Sequence, residues 1–162
     1  MAQKTEECKS LVVVKIRGTV RAQRETRETL DLLHLAHSNH AVLIDSRPAY
    51  QGMLQRVHAY VTWGEPTKET VANMIAKRGR LAGAKKITDD YLSTAGFKGI
   101  DDLAQSIIDC KVQYGKLADV EPRFKLHPPS KGFKGSIKKG FNSGGEGGYR
   151  GAAINDLIKR MV

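Results

Sequence analysis

Apolar and polar positions follow two rhythms in this chain, a strand rhythm and a helix rhythm, and the switches between them mark the elements. Leu11-Val12-Val13-Val14-Lys15-Ile16-Arg17 is a short β-branched run stopped by Gly18, which predicts a buried strand. A helix is expected from about Arg24 to Ala36, with Leu30, Leu32, Leu33 and Leu35 turned inward. Ser38-Asn39-His40 reads as a turn, and Ala41 to Asp45 as a second strand. Pro48 ends that strand, because proline neither donates to a ladder nor lets Arg47 be helical. Tyr50, Met53, Leu54 and Val57 then fall at i, i+3, i+4 and i+7, one face of an amphipathic helix. Tyr60 to Trp63 is a third strand, closed by Gly64-Glu65-Pro66. Strand, helix, strand, helix, strand implies a two-layer sandwich with the helices on one face of a small sheet.

The second half reads as more helical. Thr67 is placed to cap a helix whose inner stripe is Val71, Met74 and Ile75, with Glu69 in the first turn. After the basic loop from Leu81 to Lys86, Thr88-Asp89-Asp90 starts a short helix. Asp101-Asp102 starts another, burying Leu103, Ile107 and Ile108, and Arg123 to Leu126 alternates as a strand would. From His127 to Arg150 the composition changes, to seven glycines and a single acid, Glu146. Such a stretch does not bury enough apolar surface to fold alone. Ile154, Leu157, Ile158 and Met161 repeat the helical spacing and predict a terminal helix docked on the core. The expected segments are a core over 1–66, a helical addition over 67–126, a basic glycine-rich extended segment over 127–150 and a docking helix over 151–162.

Charge changes the picture. Among 162 residues, 27 Lys and Arg stand against 17 Asp and Glu, a net charge of +10 with a pI near 9.7. A surplus of this size points to a polyanion, and nucleic acid is the commonest for a small soluble protein, with a generally basic protein as the plainer reading. The two cysteines, Cys8 and Cys110, lack partners at zinc-ligand spacing and are expected to be reduced thiols. Met1 to Ser10 is polar without a signal pattern, and the apolar runs are too short to span a bilayer, so a cytoplasmic location is expected.

No constellation points to an enzyme. Gly144-Gly145-Glu146-Gly147-Gly148-Tyr149-Arg150-Gly151 precedes a helix but misses the dinucleotide fingerprint, since Gly145 and Gly147 would need glycine at Arg150. It serves better as an RNA-phosphate contact or a flexible loop. His34, His37 and His40 resemble metal spacing, but no Cys or carboxylate completes a set, and they read as helix-end and turn residues. The pairs Asp89-Asp90 and Asp101-Asp102 suit helix starts better than catalysis. No catalytic residue, metal or cofactor is therefore expected. Gly96-Phe97-Lys98-Gly99 recurs as Gly132-Phe133-Lys134-Gly135; a K-homology clamp and an ordinary interhelical turn both fit the first copy, and the flanking strands favour the turn by their absence.

The cations cluster where RNA would use them. Arg17, Arg21, Arg24 and Arg27 surround the first strand–helix connection; Lys77, Arg78, Arg80, Lys85 and Lys86 crowd one loop; Lys131, Lys134, Lys138 and Lys139 line the tail. Each phosphate they neutralise releases counterions and adds affinity without reading sequence. For any single residue, solvated charge competes evenly with contact.

Asp45-x-x-Pro48-Ala49-x-x-Gly52-Met53, after a strand and opening a helix, resembles the core motif of the large-subunit ribosomal protein family called L-thirty. Tyr60-Val61-x-Trp63-Gly64-x-Pro66, Lys77-Arg78-Gly79, Phe124-Lys125-Leu126-His127-Pro128-Pro129 and the ending from Glu146-Gly147-Gly148 to Leu157-Ile158-x-Arg160-Met161 resemble its longer archaeal form, related to eukaryotic L-seven. The resemblance runs over nearly the whole chain. It implies an α+β fold: a three-stranded antiparallel βαβαβ core similar to a ferredoxin-like sandwich, with a mostly helical addition. It also implies a structural role in the large subunit, with rRNA near the 5S junction, 5S rRNA and other ribosomal proteins as partners. Carried over to this chain, Arg17, Arg21, Arg24 and the turn holding Arg47, Pro48, Tyr50 and Gly52 would face RNA, as would the tail from His127 to Arg150. The alternative is a free regulatory RNA-binding protein outside the ribosome. Low aromatic content speaks against that alternative, with Tyr50, Tyr60 and Trp63 in core-like positions.

Overall fold

A computed structural model describes residues 8–162; the polar stretch read for a signal lies, over residues 1–7, outside the described residues. All six residues of β1 (Ser10–Lys15) are buried, because both faces of the strand are covered. Its one charged residue, Lys15, is 1% exposed and donates from Nζ to the Ala36 carbonyl at 2.6 Å. Burial lowers the pKa of that amine, and the Asp31 carboxylate partly opposes the shift.

Helix α1 (Arg24–Leu32) is shorter than the apolar pattern predicts. His34 takes a left-handed conformation at φ 59°, and the Leu35 amide closes back on the Leu30 carbonyl at 2.8 Å. The helical phase is lost there. Leu33 and Leu35 are still buried, from the turn, whereas Leu32 is 72% exposed rather than inward. β2 (His40–Asp45) follows, then α2 (Pro48–Val57), whose Pro48 sits in the first turn where its missing N–H costs nothing, then β3 (Val61–Gly64).

β1 pairs antiparallel with β2 (Ser10 opposite Asp45) and with β3 (Val12 opposite Gly64). The core is thus the three-stranded antiparallel βαβαβ arrangement expected, ferredoxin-like in order. Leu11 and Val13 point to one face and pack with Leu30 of α1 and Leu54 and Val57 of α2. Val12, Val14 and Ile16 point to the other. The two-layer reading left that second face open; in the structure the rest of the chain closes it.

Closure starts with α3 (Lys68–Arg78), capped by the Thr67 hydroxyl, which accepts from the Thr70 amide at 3.4 Å. α4 (Asp89–Thr94) and α5 (Ile100–Ile108) follow, and Val71, Met74, Leu92, Leu103 and Ile107 join Val12 and Val14 in one cluster. The first Gly-Phe-Lys-Gly copy is the turn between α4 and α5, with Gly96 at φ 86°. β4 (Arg123–Lys125) pairs antiparallel with β2, and its Phe124 stacks on Tyr114 with centroids 4.7 Å apart.

The glycine-rich segment forms two strands, β5 (Ser136–Gly140) and β6 (Gly145–Tyr149), before α6 (Ile154–Lys159). β6 lies parallel to β3, so the sheet order becomes β4-β2-β1-β3-β6-β5. Glycine makes the approach possible: a Cβ on Gly145 would stand 2.1 Å from the Lys139 carbonyl oxygen. A polar latch holds it. Glu146 and Arg150 are 4% and 8% exposed, and Arg150 Nη2 donates to Glu146 Oε2 at 2.5 Å and to the Glu146 carbonyl at 2.7 Å. Arg150 Nε donates to Thr62 Oγ1 at 2.8 Å, which donates onward to the Gly148 carbonyl at 2.9 Å. The Gly135 amide satisfies the other Glu146 oxygen at 2.8 Å. Every member has a partner, the condition under which a buried pair tolerates its desolvation.

Two predictions follow from these contacts. A Cβ on Gly64 would stand 2.0 Å from the Gly151 carbonyl oxygen, so Gly64→Ala must displace the lead into α6. A clear loss of stability, roughly 2 kcal/mol or more in urea unfolding, is expected; an unchanged midpoint would refute the contact. For Glu146, burial pushes the pKa up, but the Arg150 hydrogen bond, the Gly135 amide and the Arg150 charge outweigh it and hold the carboxyl below its usual value. Its stabilisation is therefore present above the unfolded glutamate pKa of about 4.3 and is lost as pH falls through the lower folded value. Glu146→Gln should cost about 3 kcal/mol at neutral pH and flatten the acid limb of the stability curve, read by urea unfolding across pH.

Candidate nucleic-acid interface

Sheet register divides the basic residues between two ends of the molecule. β1 delivers Arg17 at one end; because β2 runs antiparallel, with Asp45 opposite Ser10, Arg47 and Pro48 leave from the other. Six strand residues separate the ends by about 20 Å.

At the first end, the Arg17 guanidinium carbon lies 5.5 Å from the centroid of the Tyr60 ring. Arg21 is exposed, in a left-handed turn at φ 63°. Arg24 is exposed and meets Glu28 at 2.6 Å; a pair this open to solvent is weak, so the guanidinium remains available to a phosphate. Arg27 is exposed but donates from Nε to the Ala22 carbonyl at 3.0 Å. Half-buried His40 also lies at this end, among basic side chains. Burial chiefly, then nearby Arg123 and the other basic side chains around it, lower the His40 pKa.

At the other end, Arg47 Nε meets the buried Asp45 Oδ2 at 2.8 Å, which also accepts from Gln113 Nε2 at 2.5 Å. That pairing anchors the Arg47 side chain, which stays exposed at the start of α2. No side chain caps α2 and no acid occupies its first turn, so its amides and dipole are open to an anion. Pro48 and Gly52 are exposed, and a Cβ on Gly52 would meet nothing within 4 Å. Tyr50 is half-buried against the α1–α2 cluster.

A third group surrounds the end of α3. Lys77, Lys85 and Lys86 are exposed. Arg78 and Arg80 are half-buried and spend donors locally: Arg78 on the Val162 carbonyl at 3.3 Å, Arg80 on the Lys77 and Gly79 carbonyls at 3.2 and 2.8 Å. In the tail, Lys131, Lys134, Lys138 and Lys139 are exposed, and half-buried His127 donates from Nδ1 to the Pro128 carbonyl at 2.7 Å. Arg150 is not part of the surface; its guanidinium is consumed by the latch on Glu146 and Thr62.

Two residues that sequence reasoning passed over complete the site. Phe141 and Tyr149 are 37% and 51% exposed, and with Trp63 and His58 they border a groove whose rim carries Lys138 and Lys139. Low overall aromatic content hid them; the readable signal was their interleaving with glycine and lysine. Among the described residues, no group of three or more His, Cys, Asp or Glu is placed to hold a metal ion, and no helix is long and apolar enough to cross a membrane.

The chain is similar to known proteins over most of its length. The family described as Ribosomal protein L30p/L7e matches residues 11–61, from β1 to the start of β3. The large ribosomal subunit protein uL30 of Thermofilum pendens is 43% identical over 152 residues, covering 93% of this chain and 97% of that protein. Its counterpart in Staphylothermus marinus is 44% identical over 156 residues, covering 93% and 96%. That of Methanopyrus kandleri is 42% identical over 149 residues, covering 91% and 100%. These full-length matches include the addition that closes the second face of the sheet. The chain belongs to the L30p/L7e family of ribosomal proteins, in the archaeal form of that large-subunit family, and its role is structural rather than enzymatic.

Proposed function

We propose that this chain binds large-subunit rRNA in the cytoplasmic ribosome, near the junction with 5S rRNA, and holds separate RNA segments at a fixed spacing beside other ribosomal proteins. The observation that carries the proposal is the division of cations between opposite ends of the sheet, exposed Arg21 and Arg24 with half-buried Arg17 at one and exposed Arg47 with the open start of α2 at the other. One RNA strand tracked along one groove would call for a single stripe. Two basic ends about 20 Å apart across a rigid sheet suit a wedge between RNA elements. The 5S assignment rests on the family resemblance. Affinity comes from counterion release at each phosphate, so turnover has no part in the role.

The second reading is a free RNA-binding regulator, for which the exposed rings of Phe141 and Tyr149 would serve as a single-strand platform; exposed rings fit either reading and do not separate them. Sucrose-gradient sedimentation of native extract separates the two. Stoichiometric travel with large subunits through a high-salt wash is expected; protein left at the top of the gradient would favour the regulator.

Two variants probe the contacts. Replacing Lys131, Lys134, Lys138 and Lys139 with glutamine should weaken rRNA association and reduce its salt slope by roughly 3 if each meets one phosphate. An unchanged slope would make the tail a bystander. Gly52→Ala fills empty space on an exposed helix, so the free protein should gain about 0.5–1 kcal/mol in urea unfolding. The same variant should lose rRNA affinity in a filter-binding titration, because the added methyl occupies the ground where RNA backbone would approach. Unaltered affinity would remove Gly52 from the interface.

A further inference from the structure

A cavity of about 350 Å³ opens between the end of α2 and the β5–β6 edge of the sheet, bordered by His58, Trp63, Lys138, Lys139, Phe141 and Tyr149. That volume falls in the usual range for small-ligand clefts, about 300–1,000 Å³. We propose that this groove is the seat of a single unstacked RNA nucleotide, its base held against the Phe141 and Tyr149 rings and its phosphate against Lys138 and Lys139. The proposal rests on the rRNA-binding reading above and gives it one definite contact.

The rings are held in advance. Tyr149 donates its hydroxyl to both Glu65 oxygens at 2.9 Å, which fixes the ring while leaving it half exposed. That hydrogen bond, with partial burial, raises the phenol pKa and keeps the hydroxyl a donor. The Arg150 guanidinium carbon lies 4.9 Å from the Phe141 centroid, so the buried latch occupies one face of this ring and a base would find the other. An ordered ring loses little entropy when a base stacks on it. Glycine supplies the room: a Cβ on Gly147 would stand 3.3 Å from the Lys139 carbonyl and 3.5 Å from that of His58, narrowing the wall between them.

The chemistry selects the ligand. Exposed rings in an apolar surface suit many partners, but rings beside two exposed lysines on a chain of net charge +10 suit a flat, apolar, anionic group. A nucleotide flipped from its helix is that group, and aromatic stacking tolerates any base. The nearby carboxylate, Glu65, is occupied by the Tyr149 hydroxyl and sets no barrier at the lysines.

The test is ultraviolet crosslinking of intact large subunits from the source cells, followed by nuclease and trypsin digestion and mass spectrometry. Cleavage after Lys139 and Arg150 isolates the segment 140–150, which holds both rings. A nucleotide adduct on that peptide is the expected result. If other peptides of this chain carry nucleotides and 140–150 is recovered bare, the groove proposal falls while the ribosomal reading stands. If no peptide of this chain carries a nucleotide, both fall. In parallel, Phe141→Leu combined with Tyr149→Leu should weaken binding to protein-free large-subunit rRNA by about tenfold or more, with an unchanged salt slope. Tyr149→Phe, which keeps the ring, should retain most of the affinity. A double-leucine variant within about twofold of the natural protein and equally stable would overturn the proposal.

Discussion

Burial of β1 on both faces is the constraint on which the rest of this protein depends. Val13 and Leu11 belong to the cluster under α1 and α2, while Val12, Val14 and Ile16 belong to the cluster under α3, α5 and α6. A β-strand sends successive side chains to opposite sides, so one six-residue strand nucleates two cores at once. A βαβαβ unit with helices on one face alone would leave Val12 and Val14 in water. The addition after β3 removes that surface, and the hydrophobic gain from covering it drives the second half of the chain onto the sheet.

Antiparallel pairing around β1 then decides where the cations go. Strand exits alternate between the two ends of the sheet, so loops that look similar in sequence, each arginine-bearing and each leading into a helix, face away from one another. This geometry suits a protein that cements folded RNA. Under the proposed function such a protein meets more than one RNA element, and its packed sheet fixes the distance between the basic ends. Exposed ion pairs such as Arg24–Glu28 cost little to break, so the cations change partners readily when a phosphate replaces a carboxylate.

The latch at Glu146 and Arg150 plays a comparable part at the far edge. Without it, β6 would be a glycine-rich strand with little apolar surface to hold it. With it, the parallel pairing to β3 is secured by a buried charge pair, and the strand ends with Tyr149 at the surface, while Phe141, in the turn that precedes the strand, lies against the Arg150 guanidinium. A residue expected among the RNA-facing cations thus works inside the protein, while its aromatic neighbours Phe141 and Tyr149 are exposed.

Much of the architecture was legible from local pattern. The β-branched run at Leu11 to Ile16, the helical spacing of Tyr50, Met53, Leu54 and Val57, and the Thr67 cap each carried their own physical cause within a few residues, and the elements formed where those causes placed them. The motif around Pro48 and Gly52 carried the family with it. Other features had no local cause. The end of α1 at a left-handed His34 goes with burial of Leu30, Leu33 and Leu35 in a cluster that includes Leu54 and Val57 of α2, partners some twenty residues on, while Leu32 is left exposed. The strand β6 depends on Thr62, more than eighty residues earlier, accepting from Arg150. Sequence by itself determined most of the elements and the charge, because those follow from short-range periodicity and composition, and its ordered motifs carried the resemblance to the family. Only tertiary structure decided which arginine is buried, which rings are exposed and which basic loops share an end, because those follow from register and from partners far apart along the chain.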